Sequence, residues 1–362
     1  MSGDEHRVSG DEHRVRADAL VARLLDGVPL ALGQARLVTI GGVPVTVARG
    51  RSDAVEIAER RGTPLIDVRS GPLDGLATRP PRGSGTVVVG VGGHPVAWAG
   101  DDFSIGFGPG VADVADADPD LAADIVRDLL QLVPDVAEAS APRRIGGLTG
   151  VVPYELDGAY EIDDVLDAVL DGAAPRVELG GASGASEVVT LLGRLVGVGV
   201  GVVASRAAFG RGALGPRAWR RIARLVALCD RLRRPVLFLV DTAGLAPGAP
   251  AGQLEATALR EALATVVTAT PAKFAVVLGR AYGLGATLCG AVGARADAVA
   301  AWPRAEIGLS EPADAEQRAA ASVMAAARRG EILDVIHPDR TREVLVEMVR
   351  LADGARRFDR GR

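Results

Sequence analysis

The chain has 362 residues, a length typical of two ordinary domains or one large one. Its 41 basic and 46 acidic side chains give a formal net charge of −5, which argues against binding of a nucleic-acid backbone through a basic face. Apolar residues make up 48% of the chain, a fraction normal for a globular protein and too high for a disordered one.

Cysteine and hydropathy patterns exclude further classes. The two cysteines, Cys229 and Cys289, are too few for a disulfide framework or a four-ligand structural zinc site, and we expect no metal centre. They fit a reducing cytoplasm, where we expect the protein. The first residues are polar and charged, which predicts no signal peptide. The longest apolar stretch, 195–204, is about half a membrane span, so we expect no membrane helix.

The N-terminus carries a tandem repeat. Residues 2–8 and 9–15 both read SGDEHRV, and neither copy has an apolar stripe that would dock on a core. Residues 1–15 are therefore predicted to form a polar tail, with a partner-binding arm as the alternative. A Pro- and Ser-containing break at 139–144 predicts two domains, at 16–145 and 146–362.

The first half is predicted to be a short α/β unit. ARLVTIGGVPVTVAR (35–49) has the pattern of two strands joined by a Gly-Gly turn. The elements expected after it are a helix at 53–62, a strand at 64–68 and a strand at 86–91 that runs into Gly92-Gly93.

The second half repeats this order in a longer form. The predicted elements are a strand pair at 191–205, a helix at 219–234, a strand at 235–241, a helix at 254–269 and a strand at 274–279. The strands lack polar/apolar alternation and are followed by helices, which indicates buried parallel strands joined by βαβ crossovers. Both halves therefore indicate an α/β fold.

One junction occurs twice: a strand ends in small residues and leads into a helix, at VVVGVGGHPVAWAGDDF (87–103) and VVLGRAYGLGATLCGAV (276–292). Main-chain N–H groups in the first turn of a helix have no acceptor within the helix, and glycine lets a ligand oxygen approach them. Such a junction can form an oxyanion hole. The alternative is close helix–sheet packing, which needs small residues for its own reasons.

Conventional catalytic side chains are scarce. His6 and His13 lie in the predicted tail, which leaves His94 and His337 for the folded body. No G-x-S-x-G nucleophile elbow and no phosphate-binding G-x-x-x-x-G-K-[ST] loop occur. Both cysteines are expected to be buried core thiols. Any chemistry must therefore rest on main-chain donors, an arrangement that suits a reaction through a thioester enolate.

At these residues the chain resembles the carboxyltransferase β subunit of biotin-dependent acyl-CoA carboxylases. The similarity is clearest in VVPYELDGAYEIDDVLDAVLDG (151–172), PVLFLVDTAGLAPG (235–248) and RAYGLGA (280–286). GGHPVAWAGDDF (92–103) resembles the corresponding glycine turn of the family's first domain. The resemblance implies two crotonase-like ββα-superhelix domains, of which the first is reduced.

The resemblance also implies a mechanism and partners. In the family, one main-chain hole holds the thioester oxygen of an acyl-CoA, and a second hole, from the partner subunit of a dimer, holds the ureido oxygen of carboxybiotin. Carried over, Gly92 and Gly93 form the acyl-side hole, and Leu284 and Gly285 form the biotin-side hole. The substrate-binding residues implied around these holes are His94, Tyr282, Gly283, Ala286, Thr287 and Gly244.

This chain departs from the family pattern. Leu284-Gly285 stands where the family usually has Gly-Ala, and the first half lacks about 20 residues relative to the second. No biotin-attachment signature occurs, so biotin is expected on a partner protein, with a CoA or phosphopantetheine thioester as substrate. Two alternatives stay open: a biotin-independent decarboxylase of a malonyl-type thioester, and a non-catalytic subunit of a carboxylase complex.

Overall fold

A computed structural model describes residues 10–40, 42–49, 53–61, 63, 65–70, 86–91, 103–106, 119–132, 139–153, 155–156, 158, 160–180 and 185–360. The contacts within the chain divide it into two compact units. Unit 1 comprises Met1–Pro134 and Val177–Ser183, and unit 2 comprises Asp135–Arg176 and Gly184–Arg362.

Unit 1 contains a sheet of mixed direction. Its strands are β1 (Ala35–Ile40), β2 (Val43–Arg49), β3 (Leu65–Ser70), β4 (Thr86–Val91) and β5 (Phe103–Gly106), in that spatial order. The first two strands are antiparallel and the remaining pairs are parallel. The other elements of unit 1 are α1 (Gly10–Leu24), α2 (Ala54–Arg61), α3 (Pro119–Leu132) and the short β6 (Val177–Glu178).

The sequence prediction for this half is confirmed at the level of elements. The antiparallel pair turns between Ile40 and Val43, which pair with each other. Buried residues such as Val45, Val47 and Ile66 lie on strands without alternation, as expected when both sheet faces are covered. A helix follows β2, and the next strand is parallel to β2, so this connection is a crossover.

The N-terminal tail ends earlier than predicted, because α1 begins at Gly10 inside the second heptapeptide copy. Ala17, Leu20, Val21 and Leu24 are all buried, at helical spacing. This buried stripe anchors the helix, and the charged residues of the repeat extend it by about one and a half turns towards the N-terminus. Residues 1–9 lie outside the described residues.

Unit 2 contains the larger sheet. Its strands are β7 (Val188–Leu195), β8 (Val198–Ser205), β9 (Val236–Thr242), β10 (Lys273–Tyr282), β11 (Ala298–Ala301), β12 (Glu306–Gly308) and β13 (Asp334–Val335). Its helices are α4 (Ile162–Val169), α5 (Pro216–Leu232), α6 (Gln253–Thr268), α7 (Gly283–Leu288), α8 (Ala315–Ala321), α9 (Val323–Arg328) and α10 (Thr341–Arg360). None of the described helices combines the length and hydropathy that a bilayer span requires.

The strand order in unit 2 is β13-β11-β10-β9-β8-β7, and β12 pairs with the C-terminal end of β10. The predicted strand pair β7–β8 is antiparallel, whereas β8, β9 and β10 run parallel with α5 and α6 between them. The predicted crossovers are confirmed. β10 is buried along its whole length, and its C-terminal end is the point from which α7 starts.

Helix α5 shows why the apolar pattern predicted it. The stripe of Trp219, Ile222, Val226 and Cys229 is fully buried. The helix starts at Pro216, whose missing N–H is no loss in a first turn, and ends at Arg233 in the left-handed conformation. The helix packs closely on β8, because a Cβ added at Gly201 would lie 2.3 Å from the Cys229 sulfur.

The contact division falls N-terminal to the predicted boundary at 145. The segment before that residue is tied to unit 2 by main-chain hydrogen bonds, from Gly172 N to Ala141 O and from Arg144 N to Asp167 O. The Arg342 guanidinium donates to the Ser140 carbonyl at 2.9 Å. A Pro- and Ser-containing segment can therefore belong to a domain when its carbonyl groups have partners there.

Replacing Gly201 with Ala is expected to lower the free energy of unfolding by about 1–3 kcal/mol, the usual cost of overpacking a core. The reason is the 2.3 Å approach of the new methyl carbon to the Cys229 sulfur. The double variant G201A/C229A should recover most of that loss, and C229A alone is the control. Chemical denaturation measures all three. A double variant no more stable than G201A would contradict this packing.

Candidate active site

The junction of β10 and α7, residues 282–287, is called the 282–287 turn. Gly283 has φ of +53°, in the left-handed region, and a Cβ there would lie 2.9 Å from the Leu309 carbonyl oxygen. A Cβ at Gly285 would lie 2.6 Å from main-chain atoms of Gly244. Neither position can hold a side chain without displacement of a neighbouring main chain.

The turn presents main-chain donors. Leu284 and Gly285 lie in the first turn of α7, where amides have no acceptor within the helix. The hydrogen bonds of the described residues include none donated by these two amides. In contrast, the carbonyl of Gly285 accepts from Cys289 N at 3.0 Å, so the rest of the turn is held as a helix. Neither amide therefore has an acceptor among the described residues.

A cavity of about 920 Å³ is lined by residues of this turn, although not by Gly285. Leu284 lines it with a side chain that is 48% exposed. Leu309, which is 94% exposed, lines it as well. The remaining lining is largely small or apolar, and consists of Ala281, Gly283, Ala286, Thr287, Val292, Gly293, Ile307, Gly308, Ser310, Pro312, Gln317, Ala320, Ala321, Arg329 and Glu331.

The charged groups of the cavity wall are paired with each other. Arg329 donates to Glu331 Oε2 at 2.7 Å, and this hydrogen bond raises the pKa of the guanidinium. The same side chain donates to the Ala320 carbonyl at 2.7 Å. The hydroxyl of Thr287 is also engaged, since it donates to the Val292 carbonyl at 3.0 Å. The cavity therefore offers main-chain donors and apolar surface, without an unpaired charge among the lining residues named above.

Tyr282 supports the turn from behind. Its side chain is only 2% exposed and does not line the cavity. The phenol donates to Glu306 Oε2, and burial together with this carboxylate raises the pKa of the phenol. Glu306 in turn pairs with Arg318 of α8 at 3.4 Å. The substrate-binding role predicted for Tyr282 stays a prediction, while its observed contact is with a carboxylate of β12.

Gly244 lies on the other side of the same turn. Its φ of +109° favours glycine, and its main chain is what a Cβ at Gly285 would meet at 2.6 Å. Its N–H donates to the Thr242 hydroxyl at 3.1 Å, and its carbonyl accepts from Leu214 N at 2.9 Å. Its main chain therefore packs against the back of the turn. Ala286 and Thr287 line the cavity, as their predicted role requires, although ligand contact at either stays a prediction.

The first predicted hole cannot be placed. Gly92, Gly93 and His94 lie outside the described residues, as does most of the segment that follows them. Their roles stay predictions. His337, the other histidine of the predicted folded body, caps a short turn near the protein surface, where its Nδ1 accepts from Asp339 N at 3.4 Å.

The remaining chemistry-bearing residues are structural. Cys229 and Cys289 are buried, as predicted, and burial raises the pKa of the Cys289 thiol to about 12. A thiol with that pKa is a poor nucleophile near neutral pH. The single lysine, Lys273, is buried and donates to main-chain carbonyls, including Val266 O at 2.9 Å. Among the described residues, no cluster of three metal-ligating side chains occurs.

The sequence analysis missed a buried polar cluster under the turn. Asp241 is fully buried and accepts hydrogen bonds from the Arg280 amide at 2.9 Å and from the Tyr160 hydroxyl at 3.1 Å. Burial raises the pKa of the Asp241 carboxyl, against the opposing effect of these donors and of the Arg280 charge. The sequence feature that could have indicated this cluster is the charged residue that ends each of the apolar runs PVLFLVD (235–241) and VVLGR (276–280).

Comparisons with known proteins place the chain in a family. Residues 104–328 match the model of the carboxyl transferase domain family. A propionyl-CoA carboxylase carboxyltransferase subunit of Haloferax mediterranei is 30% identical over 68% of this chain and 54% of its own length. The methylmalonyl-CoA decarboxylase α subunit of Propionigenium modestum is 26% identical over the same shares. The chain therefore spans about half the length of these curated relatives.

A solved structure confirms the fold. The 12S transcarboxylase, with hydrolysed methylmalonyl-coenzyme A bound, has a TM-score of 0.73, 22% identity and coverage of 88% of this chain and 81% of its own. The mixed α/β, crotonase-like architecture predicted from the resemblance is thereby confirmed. The family match spans more than half of the residues. The chain belongs to the carboxyl transferase domain family.

Proposed function

We propose that the protein is a carboxyltransferase-type enzyme that acts on an acyl thioester through an enolate stabilised by main-chain donors. The observation that carries the proposal is the 282–287 turn itself: the amides of Leu284 and Gly285 have no acceptor among the described residues, and Gly283, Leu284, Ala286 and Thr287 of the same turn line a cavity of about 920 Å³. Membership of the carboxyl transferase domain family supports the reaction class.

The residues present fit a ureido group. A ureido oxygen accepts two hydrogen bonds, and the amides of Leu284 and Gly285 supply two adjacent donors. Small and apolar side chains form most of the cavity wall, which suits an uncharged ring system. When bound, a carboxybiotin carried by a partner supplies the carboxyl group. Leu284 and Gly285 would hold its ureido oxygen, as the family resemblance implies.

The two amides contribute fixed electrostatics. They are held by β10 on one side and by the helical turn on the other, so they need little reorganisation as charge develops on the bound oxygen. A donor of this type is typically worth about 2.7–4 kcal/mol of transition-state stabilisation. Ala286 and Val292 give the cavity apolar lining, and a hydrogen bond is stronger in apolar surroundings than in water. Gly92 and Gly93 remain the proposed donors to the thioester oxygen.

A biotin-independent decarboxylase of a malonyl-type thioester is the second candidate. Leu284 places a half-exposed side chain in the cavity beside the donors, which reduces the room for a ring system. The Propionigenium relative carries the name of a decarboxylase subunit. Decarboxylation also passes through an enolate, so one main-chain hole would suffice. The third reading, a non-catalytic subunit, predicts neither turnover nor thioester binding.

We propose that the active form is a homo-oligomer built from dimers, with a biotinylated carrier as a further partner. The 12S transcarboxylase is described as a hexamer, which supports an assembly of this kind. The thioester is proposed to be carried by CoA or by phosphopantetheine on a carrier protein. The two buried free thiols fit a reducing compartment, and the cytoplasm stays the proposed location.

Incubation of the purified protein with malonyl- and methylmalonyl-CoA, with and without free carboxybiotin or biotin, tests the reaction. We expect the carboxyl group to pass between the thioester and biotin, and we expect no reaction when biotin is left out. Release of CO2 without biotin would move the assignment to the decarboxylase. Absence of turnover together with absence of CoA-thioester binding by calorimetry would contradict both enzyme readings. The same assay with acyl-phosphopantetheine thioesters separates the two kinds of carrier.

Replacing Gly285 with Ala is expected to lower kcat/KM by about 100-fold or more, comparable to the loss of an oxyanion donor. The new methyl carbon would lie 2.6 Å from the Gly244 main chain and displace the turn. Gly308, which also lines the cavity, gives a matched control, because a Cβ there meets atoms no closer than 3.5 Å. G308A should stay within about threefold of wild type. Equal losses in both variants would contradict the assignment of the turn.

A further inference from the structure

The strand that leads to the 282–287 turn carries a bulge. β10 pairs in register with β9 up to Val277, which lies opposite Val240, and pairing resumes at Ala281 opposite Thr242. Four residue steps on β10 therefore span two steps on β9. A bulge of this kind breaks the ladder locally and redirects the strand that follows.

The Asp241 carboxylate occupies the gap in the ladder. Asp241 lies between the two paired residues of β9, and its Oδ1 accepts from the Arg280 N–H at 2.9 Å. A Cβ at Gly279 would lie only 2.7 Å from the carboxylate atoms, so the bulge closes directly over this side chain. The carboxylate thus takes the place of a main-chain acceptor that the interrupted ladder does not supply.

Neighbouring groups fix the carboxylate. The Tyr160 hydroxyl donates to Oδ2 at 3.1 Å, and the Arg280 guanidinium lies 3.4 Å from Oδ1. That guanidinium also donates to the Leu156 carbonyl. Asp241 is fully buried and Arg280 is 2% exposed, so solvent does not replace these contacts. A carboxylate with several donors in a buried site has one well-defined position.

The bulge sets the register of the β10 residues that follow it. Ala281 pairs with Thr242 on one side and with Ile307 on the other, and Tyr282 pairs with Gly308. Gly283 begins α7 immediately afterwards. A change in the bulge would therefore shift the start of α7 relative to β12, whose residues line the cavity.

We infer that Asp241 is a positioning residue for the 282–287 turn: its carboxylate holds the β10 bulge in the register that places the turn against the cavity. The inference deepens the proposed function and rests on it for its kinetic consequence. Its structural consequence, the order of residues 279–288, is independent of any turnover.

The test compares D241N, D241L and G279A. D241N keeps an oxygen acceptor for the Arg280 N–H, D241L removes it at similar volume, and G279A keeps the carboxylate but places a methyl carbon 2.7 Å from it. Asp171 provides the matched control, because it is also buried and accepts from two main-chain amides, Val196 N and Gly197 N, and from Arg342. D171N and D171L therefore report the cost of altering a buried carboxylate elsewhere in unit 2.

Hydrogen–deuterium exchange of the full-length chain is the first measurement. Peptides covering 279–288 should exchange at least about tenfold faster in D241L and G279A, because local opening of the backbone controls exchange. In D241N and in both Asp171 variants the same peptides should exchange near the wild-type rate. Similar acceleration in D171L, or acceleration spread over all peptides of D241L, would overturn the inference. G279A carries the test if D241L does not fold.

Steady-state kinetics of the thioester reaction is the second measurement. D241L and G279A should lose about 100-fold in kcat, the effect expected for misplaced oxyanion donors, with KM for the thioester changed by less than about threefold. D241N should recover most of the rate. Wild-type kcat in D241L would overturn the inference. Absence of turnover in the wild-type protein refutes the proposed function instead, and the exchange pattern still decides the role of Asp241.

Discussion

The close approach of main chains at Gly283, Gly285 and Gly244 is the constraint on which the site depends. A Cβ at Gly283 or Gly285 would collide with a neighbouring main chain, so the turn exists only with glycine at both positions. Leu284, which lies between the two glycines, lines the cavity. Two N–H groups without internal partners are the chemical result.

Buried polar contacts hold this arrangement on both sides. Asp241 accepts from the Arg280 amide on the β9 side, and Glu306 accepts from the Tyr282 phenol on the β12 side. Each contact joins a residue of β10 to a neighbouring strand at the end where α7 begins. Because a buried polar group is costly when it loses its partner, such contacts favour one backbone geometry over its neighbours. Rigid donors are what electrostatic stabilisation of an oxyanion requires.

Much of the fold followed from sequence patterns. The apolar runs at 235–241 and 274–279 and the amphipathic stripe of Trp219 and Ile222 predicted β9, β10 and α5 to within a few residues. The 282–287 turn was found because glycine spacing after a strand has a direct main-chain consequence. The predicted tail is too long. The helix that carries the buried stripe from Ala17 to Leu24 extends into the polar repeat, which has no apolar stripe.

Other features depend on register, which a single sequence does not reveal. Whether Tyr282 faces the cavity or the core depends on the number of extra residues in the β10 bulge, because a one-residue slip moves a side chain to the opposite face. The contact of Asp241 with Arg280 spans 39 positions and requires the same bulge. Local patterns therefore predict donors at Leu284 and Gly285 but not the side chains that hold the turn, and the roles of these two residues, like those of Gly92 and Gly93, remain predictions.

The central claim is that the amides of Leu284 and Gly285 bind an oxygen atom that gains negative charge during the reaction. A crystal structure of the protein with a biotin derivative or a thioester bound tests it most directly. A ligand oxygen within about 2.7–3.1 Å of both nitrogen atoms, the distance range of oxyanion donors, is the predicted result. A ligand whose oxygen binds elsewhere, with both amides taken up by protein groups, would contradict the claim.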